Sequence, residues 1–376
     1  MLFGNIPLYG QERSNIEVFH QLKQRGINSL FVTHKDWGFQ AIQPELDKMG
    51  LKWTVATYAG RLENGVNFFS VVKFLWEIGV GSCELFKIIL QYKPTHIHVF
   101  NPTYFLDFSP LLLILKTPMV YLIGDEPQKH NWAYRALWKL IIKRVDRFVC
   151  ISSFIKKSLL NIGTNEKKIT DIIFNFPPTF IVSEEDVSRR PLPLADHITV
   201  VYMGQITEKK GVPLLVHAAI QLCSQYPKIR FLIVGDIHQD GSLSRKLMTE
   251  IENSGFKDKI LFLGYAKNIP QLLEMSHIHV CPSVWEEPLS NVVGEAKRAK
   301  IPSVIFPSGG LPELITHQVD GFICDKKTTQ GLIEGIRFFL DHPEKRMEAG
   351  HKAYESLEQL GVNQFADKWE RIYKAS

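Results

Sequence analysis

Two glutamates, Glu287 and Glu295, lie eight residues apart in the stretch EEPLSNVVGEA. The apolar run HIHVCPS (277–283) before them is typical of a buried strand and its turn, so we expect a helix to begin near Leu289 or Ser290. The N–H groups and positive dipole end of a helix N-terminus bind phosphate readily. Glu287 would then accept hydrogen bonds from sugar hydroxyls beside that phosphate. Glu295, roughly 8 Å further along the helix axis, could bind a vicinal diol such as a ribose.

A lysine supplies the cation that this chemistry needs. Lys210 stands in the stretch VVYMGQITEKKG, after another apolar run, where Gly204 permits a tight turn. Its ammonium group could neutralise a pyrophosphate. A sugar, a diphosphate and a ribose, taken in order, describe a nucleotide sugar. The competing interpretation is that these acids and lysines are solvated surface residues, which is common for isolated Glu and Lys.

Ten short apolar runs alternate with amphipathic stretches over most of the chain. This alternation is typical of parallel sheets covered by helices on both faces, in which ligands bind at the carboxyl ends of the strands. A proline-rich stretch of mixed charge, 175–197, separates two groups of runs and is typical of a linker. The sequence therefore predicts two Rossmann-like α/β domains in series. The runs lie at 28–34, 51–57, 96–102, 119–125 and 146–153, and again at 198–204, 229–236, 259–265, 277–283 and 301–306.

The bulk composition limits the class of protein. A chain of 376 residues exceeds one ordinary core, and 45% hydrophobic with 22% charged residues suits a globular protein. The net charge of +5 suits an anionic ligand but is too small to indicate nucleic acid. The five cysteines are scattered without a CxxC pair, which favours a reducing compartment. The sequence shows neither a signal peptide nor a membrane span, and we expect a cytoplasmic protein.

The order of the motifs resembles the C-terminal domain of the family-4 retaining glycosyltransferases, which have the GT-B fold. The hallmark of that family, two glutamates with seven residues between them, is matched by Glu287 and Glu295. The motifs that carry the resemblance are VVYMGQITEKKG, FLIVGD, ILFLGY, HVCPSVWEEPLSNVVGEA and IPSVIFPSGGLPELI.

The resemblance implies an α/β fold in which two Rossmann-like domains face each other across a cleft. The implied boundaries are 1–177 for an acceptor-side domain, 178–197 for the linker and 198–357 for a nucleotide-sugar-binding domain. A C-terminal helix, 358–376, would cross back to the first domain.

The resemblance also implies roles for single residues. Glu287 would contact the donor hexose, Glu295 the donor ribose and Lys210 the pyrophosphate. The backbone of residues 289–291 would bind phosphate and sugar, and Gly264–Tyr265 would lie near the base. PLYGQERSN, which contains Gly10, stands where the family has a glycine-rich loop over the donor phosphates. The full expected donor-binding set is Gly10, Gly204, Gln205, Lys209, Lys210, Gly264, Tyr265, Glu287, Pro288, Leu289, Ser290, Asn291 and Glu295.

Three positions depart from the family pattern. Gln205 replaces the usual arginine after the strand glycine, so either Lys209 substitutes for it or the donor binds more weakly. Ser290 replaces a usual glycine, and its hydroxyl could still donate a hydrogen bond. Gly124 stands where many members have a histidine near the reacting face of the sugar, which leaves Asp125 as a candidate. The expected catalytic residues are Lys210, Glu287 and Asp125.

No metal or cofactor is expected from the sequence. The chain contains no Asp-x-Asp motif. His96 and His98, and likewise His277 and His279, alternate along strands, as packed or hydrogen-bonded histidines do. Lys210 and backbone N–H groups would then stabilise the leaving diphosphate. By resemblance, the acceptor attacks the front face of the sugar while the donor phosphate helps to deprotonate it.

A cationic stripe marks the predicted helix in QKHNWAYRALWKLIIKRVDRF (128–148), where Arg135, Lys139 and Lys143 recur every four residues. Aromatic residues, including Trp138, lie on or beside this stripe. One interpretation is a solvated helix that buries its opposite, apolar side. The other is contact with an anionic bilayer or a lipid-diphosphate acceptor, because basic residues flanked by aromatics suit that interface.

These observations together predict a metal-independent retaining hexosyltransferase. It would move a hexose from a nucleotide-diphosphate sugar to a glycan or lipid-linked acceptor, in cell-envelope polysaccharide or glycoconjugate synthesis. It would act in the cytoplasm, with peripheral binding at the inner membrane face. Two alternatives stay open: a non-catalytic nucleotide-sugar-binding subunit, which Gln205 and Gly124 favour, and a nucleotide-sugar epimerase or phosphorylase on the same fold.

Overall fold

The computed structural model describes residues 1–3, 10–35, 39–59, 67–127, 131–170, 172–174, 197–235, 241–266, 268–358 and 362–374. The chain divides into two compact units, Met1–Pro178 together with Val362–Ser376, and Thr179–Gly361. The first unit therefore takes one helix from the far end of the sequence. The expected linker, 178–197, lies outside the described residues except for His197.

Parallel strands form the centre of the first unit. Strand β1 pairs with β2, and β3, β4 and β5 form a second ladder. Residues 1–3 join the two ladders, because Phe3 N donates to Val32 O and Leu2 N donates to His98 O, both at 2.9 Å. The strands are β1 (Leu30–His34), β2 (Lys52–Ala56), β3 (Ile97–Val99), β4 (Met119–Ile123) and β5 (Arg147–Cys150). The helices before the linker are α1 (Gly10–Gln24), α2 (Phe39–Lys48), α3 (Phe68–Tyr92), α4 (Pro102–Asp107), α5 (Ser109–Leu112), α6 (Trp132–Arg144) and α7 (Ser153–Asn161).

The second unit has one six-stranded parallel sheet, with the strand order β11–β10–β9–β6–β7–β8. Its strands are β6 (Ile198–Met203), β7 (Ile229–Val234), β8 (Ile260–Gly264), β9 (Ile278–Cys281), β10 (Ser303–Ile305) and β11 (Gly321–Ile323). Its helices are α8 (Val212–Gln225), α9 (Ser242–Asn253), α10 (Ile269–Glu274), α11 (Asn291–Arg298), α12 (Thr329–Asp341) and α13 (Pro343–Glu358). The α/β fold with parallel sheets predicted from the sequence is confirmed, and all ten expected strands are present.

Helix α14 (Val362–Lys374) packs against the first unit. The hydroxyl of Tyr373 lies 2.6 Å from His98 Nδ1, and the ring of Trp369 lies 5.5 Å from that imidazole. Arg25 at the end of α1 pairs with Glu370 at 3.2 Å. Trp369 is fully buried, so this helix completes the core of the first unit.

Among the helices in the part of the chain that the structure describes, none combines the length and apolar composition needed to cross a membrane.

Candidate functional site

The strand order of the second unit brings two loops together. Counted from β8, the strand order is β8–β7–β6–β9–β10–β11. From β6 the chain adds strands toward one edge of the sheet, and from β9 it adds them toward the other edge, so the switch point lies between β6 and β9. Helix α8 packs with Tyr202 on one face of the sheet, and α11 packs with Met203 on the other. The loops after β6 and β9, 204–211 and 282–290, therefore lead to opposite faces. A crevice forms at such a switch point in open parallel sheets, and ligands bind there.

Lys210 and Glu287 meet in this crevice. Lys210 Nζ donates a hydrogen bond to Glu287 Oε1 at 2.5 Å, and Ser283 Oγ donates to the same oxygen at 2.6 Å. Glu287 is 7% exposed, whereas the side chain of Lys210 is 32% exposed. A buried carboxylate is costly unless it is paired, so these two donors hold Glu287 in place. The lysine remains accessible to an anionic ligand.

Two glycines allow the close backbone contacts behind this pair. A Cβ on Gly211, which has a φ of +72°, would lie 1.8 Å from Pro282 O. A Cβ on Gly309, which has a φ of +56°, would lie 2.2 Å from Glu287 O. Gly310 N also donates to Glu287 O at 2.7 Å. Gly211 and Gly309 occupy the left-handed region of φ, and any larger residue at either position would push the loops apart.

Helix α11 carries the second glutamate. The helix begins at Asn291 with Ser290 as its N-cap residue, one residue beyond the expected start. Glu295 lies half-buried in the second turn of α11. The helix N-terminus directly follows the loop that contains Glu287, and the ribose role of Glu295 stays a prediction.

A buried ion pair anchors the far end of α11. Lys297 Nζ donates to Asp320 Oδ2 at 2.7 Å and to Ser356 Oγ at 2.8 Å. Burial lowers the pKa of Lys297, although the hydrogen bond and charge of Asp320 oppose that change. Asp320 Oδ1 accepts a further hydrogen bond from Thr316 N at 2.6 Å. These bonds fix α11 against the segment before β11 and against α13.

The other expected donor-binding residues of this unit lie at neighbouring strand ends. Gly204 follows β6, and Gln205 beside it is exposed. Lys209 Nζ lies 4.9 Å from the centre of the Trp285 ring, so its ammonium group stacks on an indole in this structure. Gly264 ends β8, and Tyr265 after it is 61% exposed. Pro288 and Leu289 are half-buried between Glu287 and the start of α11.

Two expected site residues belong to the first unit. Gly10 opens helix α1, and the rest of its expected loop before that helix, residues 7–9, lies outside the described residues. Asp125 is exposed in the loop after β4. Their roles in donor binding and catalysis stay predictions.

The cationic stripe on α6 is exposed at Arg135, Lys139 and Lys143. Trp138, expected on or beside the stripe, is instead buried, with its ring 5.7 Å from that of Tyr121. That expectation was wrong because Trp138 shares the inward face of the helix with its apolar neighbours, next to the sheet.

The buried histidines and the cysteine near the site are neutral structural groups. His279 Nδ1 lies 2.9 Å from Ser303 Oγ, and burial lowers the pKa of His279 to about 3. His98 has a similarly lowered pKa, also about 3, mainly from burial. Burial, followed by the charge of Glu287, raises the pKa of Cys281 to about 11. Within the described ranges, no cluster of three His, Cys, Asp or Glu side chains could hold a metal ion.

Ser283 contributes to the site although the sequence did not single it out, and Gly310 contributes from a glycine pair that the sequence places at a strand end. Ser283 follows β9 by two residues, and a hydroxyl just past a strand end is a signal that could have identified it. Gly310 stands in the glycine pair after β10, where the sequence indicates only a turn. Their function here depends on contacts with Glu287, which sequence spacing does not show.

Comparisons with known proteins identify relatives of both units. Residues 9–172 match the family model described as Glycosyltransferase Family 4, and residues 184–356 match the model described as Glycosyl transferases group 1. A putative glycosyltransferase of Bacillus subtilis is 26% identical over 200 residues, which cover 50% of this chain and 49% of that protein. The N-acetyl-alpha-D-glucosaminyl L-malate synthase of Bacillus anthracis is 27% identical over 262 residues, covering 68% and 65%.

Solved structures share the fold. The Anabaena protein HepE, in complex with UDP-glucose, superposes with a TM-score of 0.80 at 20% identity, covering 100% of this chain and 99% of that one. Sucrose-phosphate synthase from Thermosynechococcus elongatus gives a TM-score of 0.77 at 17% identity, covering 98% and 93%. The alignments with the putative glycosyltransferase of Bacillus subtilis and with spore coat protein SA of the same organism, which is 27% identical over 181 residues, span about half of those proteins, 49% and 48%.

Proposed function

Because the chain belongs to the family-4 glycosyltransferases of GT-B fold, we propose that it transfers a hexose from a nucleotide-diphosphate sugar with retention of configuration. The acceptor is a hydroxyl of a glycan or of a lipid-linked acceptor, in the synthesis of a cell-envelope polysaccharide or glycoconjugate. The complex of HepE with UDP-glucose supports UDP-hexoses as the first donors to test.

The contact between Lys210 and Glu287 carries this proposal. Lys210 is the cation for the donor diphosphate, the α11 N-terminus supplies backbone N–H groups, and Glu287 binds a hexose hydroxyl. In the transfer, the bond from the anomeric carbon to the diphosphate oxygen breaks. A bond to the acceptor oxygen forms on the same face, and the acceptor proton passes to a donor phosphate oxygen. Lys210 balances the negative charge that the diphosphate gains.

We further propose that this balance needs no metal ion. The support for metal independence is the contact of Lys210 with Glu287, three residues before the N-cap Ser290 of α11, together with the lack of an Asp-x-Asp motif in the sequence. For the first unit, we propose that Gly10 contributes to donor binding and Asp125 to catalysis.

The exposed cations of α6 support a second part of the proposal, namely peripheral binding at an anionic, cytoplasmic membrane surface. The test replaces Arg135, Lys139 and Lys143 with Glu and measures sedimentation with anionic vesicles. We expect the variant to lose binding in low salt, since each basic residue near such a surface contributes about 1 kcal/mol. Equal sedimentation of parent and variant would contradict this part.

The transferase proposal is tested with a panel of UDP-, GDP-, ADP- and dTDP-hexoses. Thermal shifts identify the donor, and release of nucleoside diphosphate is then measured with and without candidate acceptors. We expect slow donor hydrolysis alone, faster release with an acceptor, and an α-configured glycoside from an α-configured donor. Binding without any release would favour a non-catalytic subunit. A changed sugar still attached to its nucleotide would favour an epimerase.

A further inference from the structure

The outer face of helix α3 is apolar over its whole length. Ile78, Gly81, Ser82 and Leu85 on its inner face are buried, and the helix packs there against β2, α4 and α5. The opposite face leaves large apolar side chains in solvent, with Trp76 71% exposed. An exposed apolar surface of this extent is uncommon on a soluble protein and marks an interaction site. We define this α3 face by the exposed residues Phe68, Phe69, Val72, Leu75, Trp76, Phe86 and Leu90.

The charges on α3 are divided between its two sides. Lys73, Lys87 and Lys93 are exposed. Both acids are partly buried. Glu84 accepts a hydrogen bond from Thr57 N at 2.7 Å, and the side chain of Glu77, which is 22% exposed, lies 3.7 Å from Lys73 Nζ. The charges that accompany the α3 face in solvent are therefore positive.

We propose that the α3 face lies in the surface of an anionic lipid bilayer, parallel to the membrane plane. Apolar and aromatic side chains flanked by lysines suit the boundary between acyl chains and acidic headgroups. The inner face of α3 is committed to the first unit, so the helix inserts only its outer side. A second copy of the chain fits less well, because two α3 faces would bring exposed lysines together, and Glu77, the acid beside Lys73, is largely buried.

Cys83 allows the accessibility of the α3 face to be measured without a mutation. It lies on the α3 face, seven residues after Trp76 and seven before Leu90, and is the exposed cysteine among the five. The other four are buried. The rate at which a water-soluble maleimide labels the native protein therefore reports access to this face.

The first experiment measures that rate with phosphatidylglycerol vesicles, with phosphatidylcholine vesicles and with no vesicles. We expect saturating anionic vesicles to slow labelling of Cys83 about tenfold or more, and neutral vesicles to slow it much less. An unchanged rate would overturn the inference. Slower labelling at higher protein concentration without vesicles would also overturn it, because a second copy would then cover the face.

The second experiment tests whether vesicle binding depends on the α3 face or on exposed apolar side chains anywhere on the protein. Leu75→Ser/Trp76→Ser should weaken binding to anionic vesicles by about tenfold or more. Met248→Ser/Met347→Ser, which removes exposed apolar groups from the second unit, should bind as the parent does. All four side chains are exposed, so thermal unfolding should confirm that each variant folds. Equal vesicle binding by both variants would overturn the inference.

The third experiment tests the charge argument. Lys73→Glu/Lys87→Glu should weaken vesicle binding by about fivefold or more per lysine, and the loss should shrink in high salt. Arg245→Glu/Lys246→Glu, on the exposed side of α9, makes the same change in net charge and should have little effect. Equal losses in the two variants would mean that net charge alone drives binding. None of these measurements uses a sugar donor, so they stand or fall separately from the transferase proposal.

Discussion

Lys210 Nζ and Glu287 Oε1 are 2.5 Å apart although 77 residues separate them in the chain. Each comes from the loop after one of the two central strands, β6 and β9. The carboxylate of Glu287 neutralises the ammonium group of Lys210 in this ion pair. A donor diphosphate would therefore compete with Glu287 for Lys210, and this competition distinguishes the two glutamates of the motif.

Replacing Glu287 should lower turnover without lowering nucleotide affinity. Glu287→Ala removes a hexose contact, so we expect kcat to fall roughly 10- to 100-fold. Binding of the nucleoside diphosphate should stay the same or become slightly tighter, because Lys210 no longer has an acid partner. Calorimetry with the nucleoside diphosphate and steady-state kinetics with the nucleotide sugar measure the two effects. A large loss of nucleoside diphosphate affinity would contradict the assignment.

Replacing Glu295, unlike replacing Glu287, should lower the affinity for the nucleoside diphosphate. Glu295→Ala removes the proposed ribose contact, so the affinity for the nucleoside diphosphate should fall about tenfold or more. Glu274→Ala, on the exposed side of α10, is the matched control and should bind as the parent does. The ribose role fails if calorimetry gives Glu295→Ala and Glu274→Ala the same affinity.

Lys210 should matter more than any added metal. Lys210→Ala leaves the diphosphate charge uncompensated in the transition state, so we expect a loss of on the order of 100-fold in kcat/KM. The parent should keep its activity in excess EDTA. Lys246→Ala, an exposed lysine on α9, serves as the control. Activity that EDTA abolishes and magnesium or manganese restores would contradict metal independence.

Breaking the buried pair of Lys297 and Asp320 should destabilise the second unit. Lys297→Met leaves Asp320 buried without its cation, which typically costs about 3–5 kcal/mol. The double variant Lys297→Met/Asp320→Asn should recover part of this loss, because Asn can still accept the hydrogen bond from Thr316 N. Urea unfolding measures both free energies. A double variant less stable than Lys297→Met would argue against this account.

Asp107 on α4 should make the first unit less stable as the pH rises toward neutrality. Burial raises the pKa of Asp107 to about 7 from the ordinary 3.8, although a hydrogen bond from the Ala59 backbone opposes the change. Between these values the folded state keeps a proton that the unfolded state has released. Stability therefore falls as the pH rises through this window and levels off above it. The total is up to about 4 kcal/mol.

The variant Asp107→Asn isolates this effect. It should be more stable than the parent at about pH 8, and the difference should shrink toward about pH 4, where the parent carboxyl is protonated in both states. The exposed Asp258→Asn is the control. Unfolding free energies measured across this range decide the matter, and a gain that does not depend on pH would point to a cause other than proton binding.

The strands of the second unit could be predicted because buried parallel strands are nearly continuous apolar runs. Strands β6 to β10 lie within the expected runs. Strand β11 (Gly321–Ile323) was not among the runs, because its apolar stretch is only the three residues 322–324, between Gly321 and Asp325, whereas the equally short β10 lies in the longer run 301–306. Its conformation depends on pairing with β10 rather than on its own composition.

The site could be predicted residue by residue but not as an arrangement. The order of strand ends indicates which loops carry Glu287 and Lys210. Their contact depends on the positive φ of Gly211 and Gly309. A sequence pattern does not reveal which glycines adopt a positive φ. The α3 face shows a second limit. An apolar stripe on a helix predicts burial, and only the packed structure reveals that α3 keeps much of it in solvent.

Helix α14 has a consequence for synthesis on the ribosome. It belongs to the first unit but follows the whole of Thr179–Gly361, a stretch of 183 residues (361 − 179 + 1). At translation rates of about 5–20 residues per second, making that stretch takes roughly 10–40 s. During this time the surface around Phe19 and His98 that later receives Tyr373 stays uncovered on the nascent chain. The first unit to emerge is thus the last to be completed, and its surface around Phe19 and His98 is exposed to solvent in the interval.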